Sequence, residues 1–142
     1  MTELVTIASM AAFPLNNTLE LPKSFVTTLK EMEGMEQPYG IMILNPSTRV
    51  IRITPTSSEE VVKISISISE LSSNFLQQLG AILTRYKVKT LYSTGICFTQ
   101  DDCCYEGYID MSEFAETTPE QMQTDISQIK GISAVELEIL SL

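Results

Sequence analysis

Residues Val62 to Ser69 alternate without a break. Val62, Ile64, Ile66 and Ile68 are β-branched and apolar, while Lys63, Ser65, Ser67 and Ser69 are polar. A period of two over eight residues puts one class of side chain on each face of an extended chain. No helix tolerates that pattern, so it predicts a strand with one face on a core and one polar face. The stretch that follows must then supply cover for the apolar face. Ser69-Glu70-Leu71-Ser72-Ser73-Asn74 breaks the alternation and offers several N-cap side chains. Phe75, Leu76, Leu79, Ile82, Leu83 and Tyr86 recur at helical spacing, one apolar stripe about three turns long.

Beyond that helix, Val88 to Thr99 is rich in Val, Tyr, Ile, Phe and Thr, a strand composition. Gln100-Asp101-Asp102 predicts a turn, and Cys103 to Met111 the returning strand of a hairpin. Gly95 and Gly107 inside these strands predict bulges or close backbone approach. Thr118 is the expected N-cap of a second helix with Pro119 at its first position and Glu120 in its first turn. Pro119, Met122, Ile126 and Ile129 form its buried stripe, and Gly131 follows as a C-terminal cap. Val135, Leu137 and Ile139 alternate with Glu136 and Glu138 in a last strand. The order strand, helix, strand, strand, helix, strand predicts two βαβ crossovers joined by a hairpin. That is a ferredoxin-like plan with four antiparallel strands on one side and two helices on the other.

The first part of the chain reads as a small β-rich module with one helix. Leu4 to Phe13 and Thr18 to Leu21 are expected strands around an Asn16-Asn17 turn, and Pro22 opens a helix over Lys23 to Met32. Tyr39 to Leu44 and Arg49 to Thr54 are expected strands around Asn45-Pro46-Ser47-Thr48. Pro55 to Glu60 is polar and reads as a linker. The fold class expected is therefore α+β, with residues 1–56 as the β-rich module and residues 61–142 as the βαββαβ domain.

Composition removes several function classes. The chain carries no histidine, the commonest general base and metal ligand, so triads and most metal sites lack a member. Cys97, Cys103 and Cys104 lack the CxxC spacing of a zinc site. Three cysteines without a basic, apolar signal segment point to reduced thiols in the cytoplasm, not to a disulfide framework. Adjacent side chains on a strand point to opposite faces, so Cys103-Cys104 read as small strand residues. Asp101, Asp102 and Glu106 read as solvated acids at a hairpin tip. No glycine-rich phosphate loop is present, and no cofactor or metal is expected. No run of eighteen apolar residues exists, so no membrane span is expected.

The net charge is −9, with seven acids and four bases in residues 1–60 and eleven and five in residues 61–142. Phosphate backbones are held by clustered Lys and Arg, so the balance disfavours nucleic acid as a partner. Arg85, Lys87 and Lys89 form the one basic knot, at the end of a predicted helix where cations are favoured anyway.

Residues 61–142 resemble ACT domains, small amino-acid-sensing modules of metabolic enzymes and regulators. The resemblance rests on the element order, on the helix-to-strand passage Leu79-Gly80-Ala81-Ile82-Leu83-Thr84-Arg85-Tyr86-Lys87-Val88-Lys89, and on Ile129-Lys130-Gly131-Ile132-Ser133-Ala134-Val135 leading into the fourth strand. The resemblance implies a regulatory, non-catalytic homodimer whose ligand sits where first strand meets first helix. In this chain that stretch is Ser69, Glu70, Leu71, Ser72, Ser73 and Asn74. Glu70 would meet a ligand ammonium, and Ser72, Ser73 and Asn74 would supply donors at the helix N-terminus. The proline and glycine that commonly mark the site are absent here.

The first part is similar, more distantly, to AbrB-like swapped-hairpin modules. Thr18-Leu19-Glu20-Leu21-Pro22-Lys23-Ser24-Phe25 and Arg49-Val50-Ile51-Arg52-Ile53-Thr54-Pro55 carry that likeness. It implies either dimerisation or DNA contact, and the N-terminus has no basic residue before Lys23. Three expectations therefore stand: a sensor of an amino acid or similar metabolite, a transcription regulator, or a ligand-free subunit acting on an enzyme partner.

Overall fold

Strand β3, Glu60–Ile68, lies where the alternation demands, at an interior position of a four-stranded antiparallel sheet. The computed structural model describes residues 6, 8–10, 18, 20–32 and 39–142. Among them it is an α+β fold with three α-helices and two antiparallel sheets. The larger sheet comprises β3, β4 (Tyr92–Thr99), β5 (Asp102–Asp110) and β6 (Ile132–Ser141), in the order β4-β5-β3-β6. The smaller is the hairpin of β1 (Tyr39–Asn45) and β2 (Val50–Thr56).

Val62, Ile64, Ile66 and Ile68 all point to the face carrying helices α2 (Ser73–Arg85) and α3 (Pro119–Ser127). They meet Phe75 and Leu79 of α2 and Met122 and Ile126 of α3 in one buried cluster. Burying each such side chain stabilises by about 1.5–3 kcal/mol. Truncation of Ile66, fully buried between two neighbouring strands, would cost about 2–5 kcal/mol because the cavity collapses only in part.

Helix boundaries follow local chemistry. Ser72 caps α2, its Oγ accepting from Phe75 N at 3.1 Å. Thr118 caps α3 through Gln121 N at 3.1 Å, with Pro119 at the first helical position as expected. At the far end of α2, Lys87 adopts a left-handed φ of 56°. Lys87 N–H donates to Thr84 O, and Val88 N–H to Leu83 O at 2.9 Å. This double closure is the Schellman arrangement. It occupies Val88, so β4 starts at Tyr92 and not at Val88 as the composition suggested.

The segment Pro55–Glu60, expected as a linker, is corrected by the structure. Strand β2 runs on to Thr56, a tight turn follows, and β3 begins at Glu60. The turn is pinned: Ser57 N–H donates to Asp110 Oδ2 at 2.6 Å and Thr56 Oγ1 to Ser58 O at 2.8 Å. The hairpin β1–β2 thus folds back on the sheet face opposite the helices. Ile41 and Ile43 are buried there against Val61 and Tyr108, with Leu91, Tyr92 and Leu140 around them. An isolated hairpin is marginal in water, and this packing supplies the partner it requires.

Chain contacts form two compact units, Met1–Gln37 and Pro38–Leu142. In the first unit, α1 spans Lys23–Glu31, with Phe25 N–H donating to Pro22 O. The strands expected over residues 4–13 and 18–21 and the Asn16-Asn17 turn fall largely outside the described residues. Thr6, Ala8 to Met10, Thr18, Glu20 and Leu21 are in neither helix nor strand. No helix among the described residues is long and apolar enough to cross a membrane.

Candidate functional site

The six residues singled out from the sequence form one continuous turn between β3 and α2. Ser69 and Glu70 are exposed, Leu71 and Ser72 half-buried, and Ser73 and Asn74 exposed in the first turn of α2. Ser69 N–H donates to Gly131 O at 3.3 Å, tying the turn to the start of β6. Gly131 has φ +94°, the conformation expected of a residue that follows a helix and reverses the chain. Leu71 packs on the core and lies against Gly95 of β4: a Cβ built there would come within 2.8 Å of Leu71 Cδ1. Gly95 thus makes the close approach expected of it, and the contact holds the turn over the edge strand.

The Ser72 hydroxyl is engaged as the helix cap. The N–H groups of Ser73 and Asn74 have no hydrogen-bond partner among the described residues, as the first turn of a helix leaves them. Glu70 makes no ion pair among the described residues. The turn therefore presents one carboxylate and two backbone donors to solvent, a combination suited to a small zwitterion.

Next to this turn the cysteines depart from expectation. Cys97 and Cys103 form a disulfide across β4 and β5, with Cα atoms 3.9 Å apart, and Cys104 is free. The expectation of three reduced thiols is corrected on this point. Counted back from the pair Thr99 and Asp102 at the turn, Cys97 would oppose Cys104. A register shift between Cys97 and Thr99 sets it opposite Cys103 instead. Cys103 Sγ lies 3.8 Å from Ser69 O, so the bridge borders the turn. Cys103 joins the core, while Cys104 sits on the other face, where burial and then Glu106 push its thiol pKa up.

The helix-free face of the sheet is polar at its centre. Lys63 Nζ lies 2.6 Å from Glu106 Oε2, and that bond is the main cause raising the Lys63 pKa above its ordinary 10.5. The basic knot at the end of α2 is largely neutralised. Arg85 pairs with Asp125 at 2.9 Å and Lys87 with Glu116 at 3.3 Å, while the backbone N–H of Lys89 donates to Glu113 and its ammonium has no ion pair among the described residues. Among the described residues, no group of three His, Cys, Asp or Glu side chains is placed to hold a metal. Every buried side-chain nitrogen or oxygen described has a hydrogen-bond partner.

Two grooves of about 300 Å³ each open where the tip of the β1–β2 hairpin overhangs β4. One is walled by Ile96, Phe98, Tyr92 and Leu44 with Glu106 at its side. The other lies between Val50, Arg52, Tyr92 and Thr94. Sequence reasoning missed both, because the hairpin was assigned to a separate module and its position over β4 has no local signature.

Compared with known proteins, the chain matches no family model and no curated protein sequence.

Proposed function

We propose that this chain is a non-catalytic regulatory protein of the ACT-like, ferredoxin-like type, binding an amino acid or similar small zwitterion at Ser69–Asn74. The observation that carries the reading is the sheet order β4-β5-β3-β6 with both α2 and α3 on one face. That arrangement puts the N-terminus of α2 at the end of an interior strand, with Glu70 and the Ser73 and Asn74 N–H groups facing solvent. A carboxylate ligand gains from the helix N-terminus, and an ammonium gains from Glu70. A homodimer belongs to the same reading, and sedimentation showing only monomer would count against it.

The test is a thermal-shift screen against amino acids and related metabolites at millimolar concentration. A ligand at about one hundred times its Kd stabilises by about 2.7 kcal/mol. One clear hit, weakened by Glu70→Gln, supports the reading. A flat panel overturns it.

A second reading, a ligand-free subunit that acts on an enzyme partner, is favoured by the outer face of the hairpin. Met42 (74% exposed), Leu44 (60%), Ile51 (49%) and Ile53 (52%) form two directly opposed cross-strand pairs there. Four neighbouring aliphatic side chains in water are more than scattered surface apolarity. Co-purification of an enzyme from native extract, unaffected by amino acids and lost in Met42→Lys/Ile53→Lys, would favour this second reading.

A further inference from the structure

Of the two grooves under the hairpin tip, the one between Val50, Arg52, Tyr92 and Thr94 has Arg52 as its one charged lining residue among those described, and Arg52 makes no ion pair among the described residues. In a chain of net charge −9, an unpaired guanidinium in a concave site stands out. Its Cζ lies 4.3 Å from the centroid of the Tyr92 ring, an arrangement that fixes the cation against the aromatic face. With one face of the guanidinium held by the ring, the planar fork keeps its N–H donors for an oxygen pair.

The other polar side chains lining this groove, Asn45, Thr48 and Thr94, are uncharged. Asn45 Oδ1 accepts from Ser47 N at 3.1 Å, Ser47 Oγ at 2.7 Å and Thr48 N at 3.3 Å. Those three donors fix the amide orientation and leave Asn45 Nδ2 as a donor without a partner among the described residues. Thr94 contributes a hydroxyl from β4; no described acid lines this groove, and Glu106 in the adjoining one is paired with Lys63. The remaining wall is apolar: Ile43, Val50 and the Tyr92 ring. A volume of about 300 Å³ is at the small end of ligand sites.

We propose that this groove binds a small apolar monocarboxylate, its carboxylate bidentate on Arg52 and its hydrocarbon portion against Ile43, Val50 and Tyr92. A carboxylate is the anion that matches the guanidinium fork in two parallel hydrogen bonds. A hydrocarbon portion fits because the Ile43 and Val50 side chains offer no hydrogen bond. The site is distinct from Ser69–Asn74 and does not depend on the reading given for that turn.

The experiment is a titration of the full-length protein with phenylacetate, followed by backbone amide NMR shifts, with neutral phenylacetamide as control. The expected result is saturable movement of the Asn45, Thr48, Tyr92 and Thr94 amides. Phenylacetamide and the Arg52→Gln variant should each bind at least about tenfold more weakly, as loss of a charge-assisted pair implies. Arg52→Lys, which keeps the charge but not the fork, should fall between. An unchanged spectral dispersion shows that the variants fold. The proposal is overturned by no shift at about 10 mM ligand, a concentration that would nearly fill a site with a Kd of about 1 mM. It is also overturned by equal binding of acid and amide, or by shifts confined to Ser73 and Asn74. That last pattern would instead locate anion binding at the N-terminus of α2.

Discussion

The carboxylate of Asp110 accepts the Ser57 N–H at 2.6 Å across a sequence separation of 53 residues. Its other oxygen accepts from Ser112 N at 3.1 Å and Ser112 Oγ at 3.0 Å. One buried side chain therefore fixes both the turn that returns the β1–β2 hairpin to β3 and the short 3₁₀ turn Met111–Glu113 after β5.

Removing that carboxylate leaves several donors without partners. Asp110→Ala is expected to destabilise the protein by about 2–4 kcal/mol, since hydrogen bonds to a charged group contribute more than neutral ones. Urea unfolding measures the loss, and the amides of Ser57 and Ser112 should lose hydrogen-exchange protection. A change under about 0.5 kcal/mol, the usual range for surface substitutions, would show that the tie is dispensable.

Leu71 and Gly95 should be energetically coupled. Gly95→Ala forces Leu71 from its seat and is expected to cost about 1 kcal/mol, as mild overpacking does. In a Leu71→Ala background the same change should stabilise by about 0.5–1 kcal/mol, because alanine loses less backbone freedom than glycine. A double-mutant cycle reads the reversal of sign. Equal effects in both backgrounds would exclude the contact.

Lys87 occupies a left-handed position that glycine adopts without a steric cost. Lys87→Gly is therefore expected to raise stability by about 0.5–1 kcal/mol, after allowing for the unfolded-state entropy glycine adds. Thermal or urea denaturation checks it. A destabilised variant would mean that the Lys87–Glu116 ion pair outweighs the backbone strain.

Acid should weaken the α2–α3 contact through Asp125. Tyr86 Oη, Gln121 Nε2 and Arg85 all donate to its carboxylate. These donors, Tyr86 first, hold the Asp125 pKa below its ordinary 3.8. A folded-state pKa below the unfolded one contributes stability that is complete above the unfolded value and is lost as pH falls through the folded value. The stability difference between the unsubstituted protein and Asp125→Asn should thus be flat from neutrality to about pH 5 and shrink below about pH 4. Unfolding curves across that range test it, and a difference that grows on acidification contradicts it.

Much of the fold was legible in local pattern. The alternation of Val62 to Ser69 specified β3 and its buried face, and Thr118-Pro119 specified the start of α3. Gly131 specified the reversal into β6. The turn Ser69–Asn74 was legible as the break between two periodicities, and only the resemblance to ACT domains marked it as a candidate site. Its division of labour, with Ser72 spent on capping and Leu71 on Gly95, required knowing which strand lies beside it.

The sequence alone determined the cores of β3 to β6, α2 and α3 and which face of β3 is apolar, because side-chain period and caps are local properties of the backbone. Tertiary structure decided where the β1–β2 hairpin goes. Ile41 and Ile43 on one face and Met42 and Leu44 on the other are equally apolar, so alternation could not choose the buried side. It likewise decided the partner of Cys97, which a single bulge moved from Cys104 to Cys103. The Arg52 groove exists only because that hairpin overhangs β4, a long-range pairing for which a chain read residue by residue carries no signal.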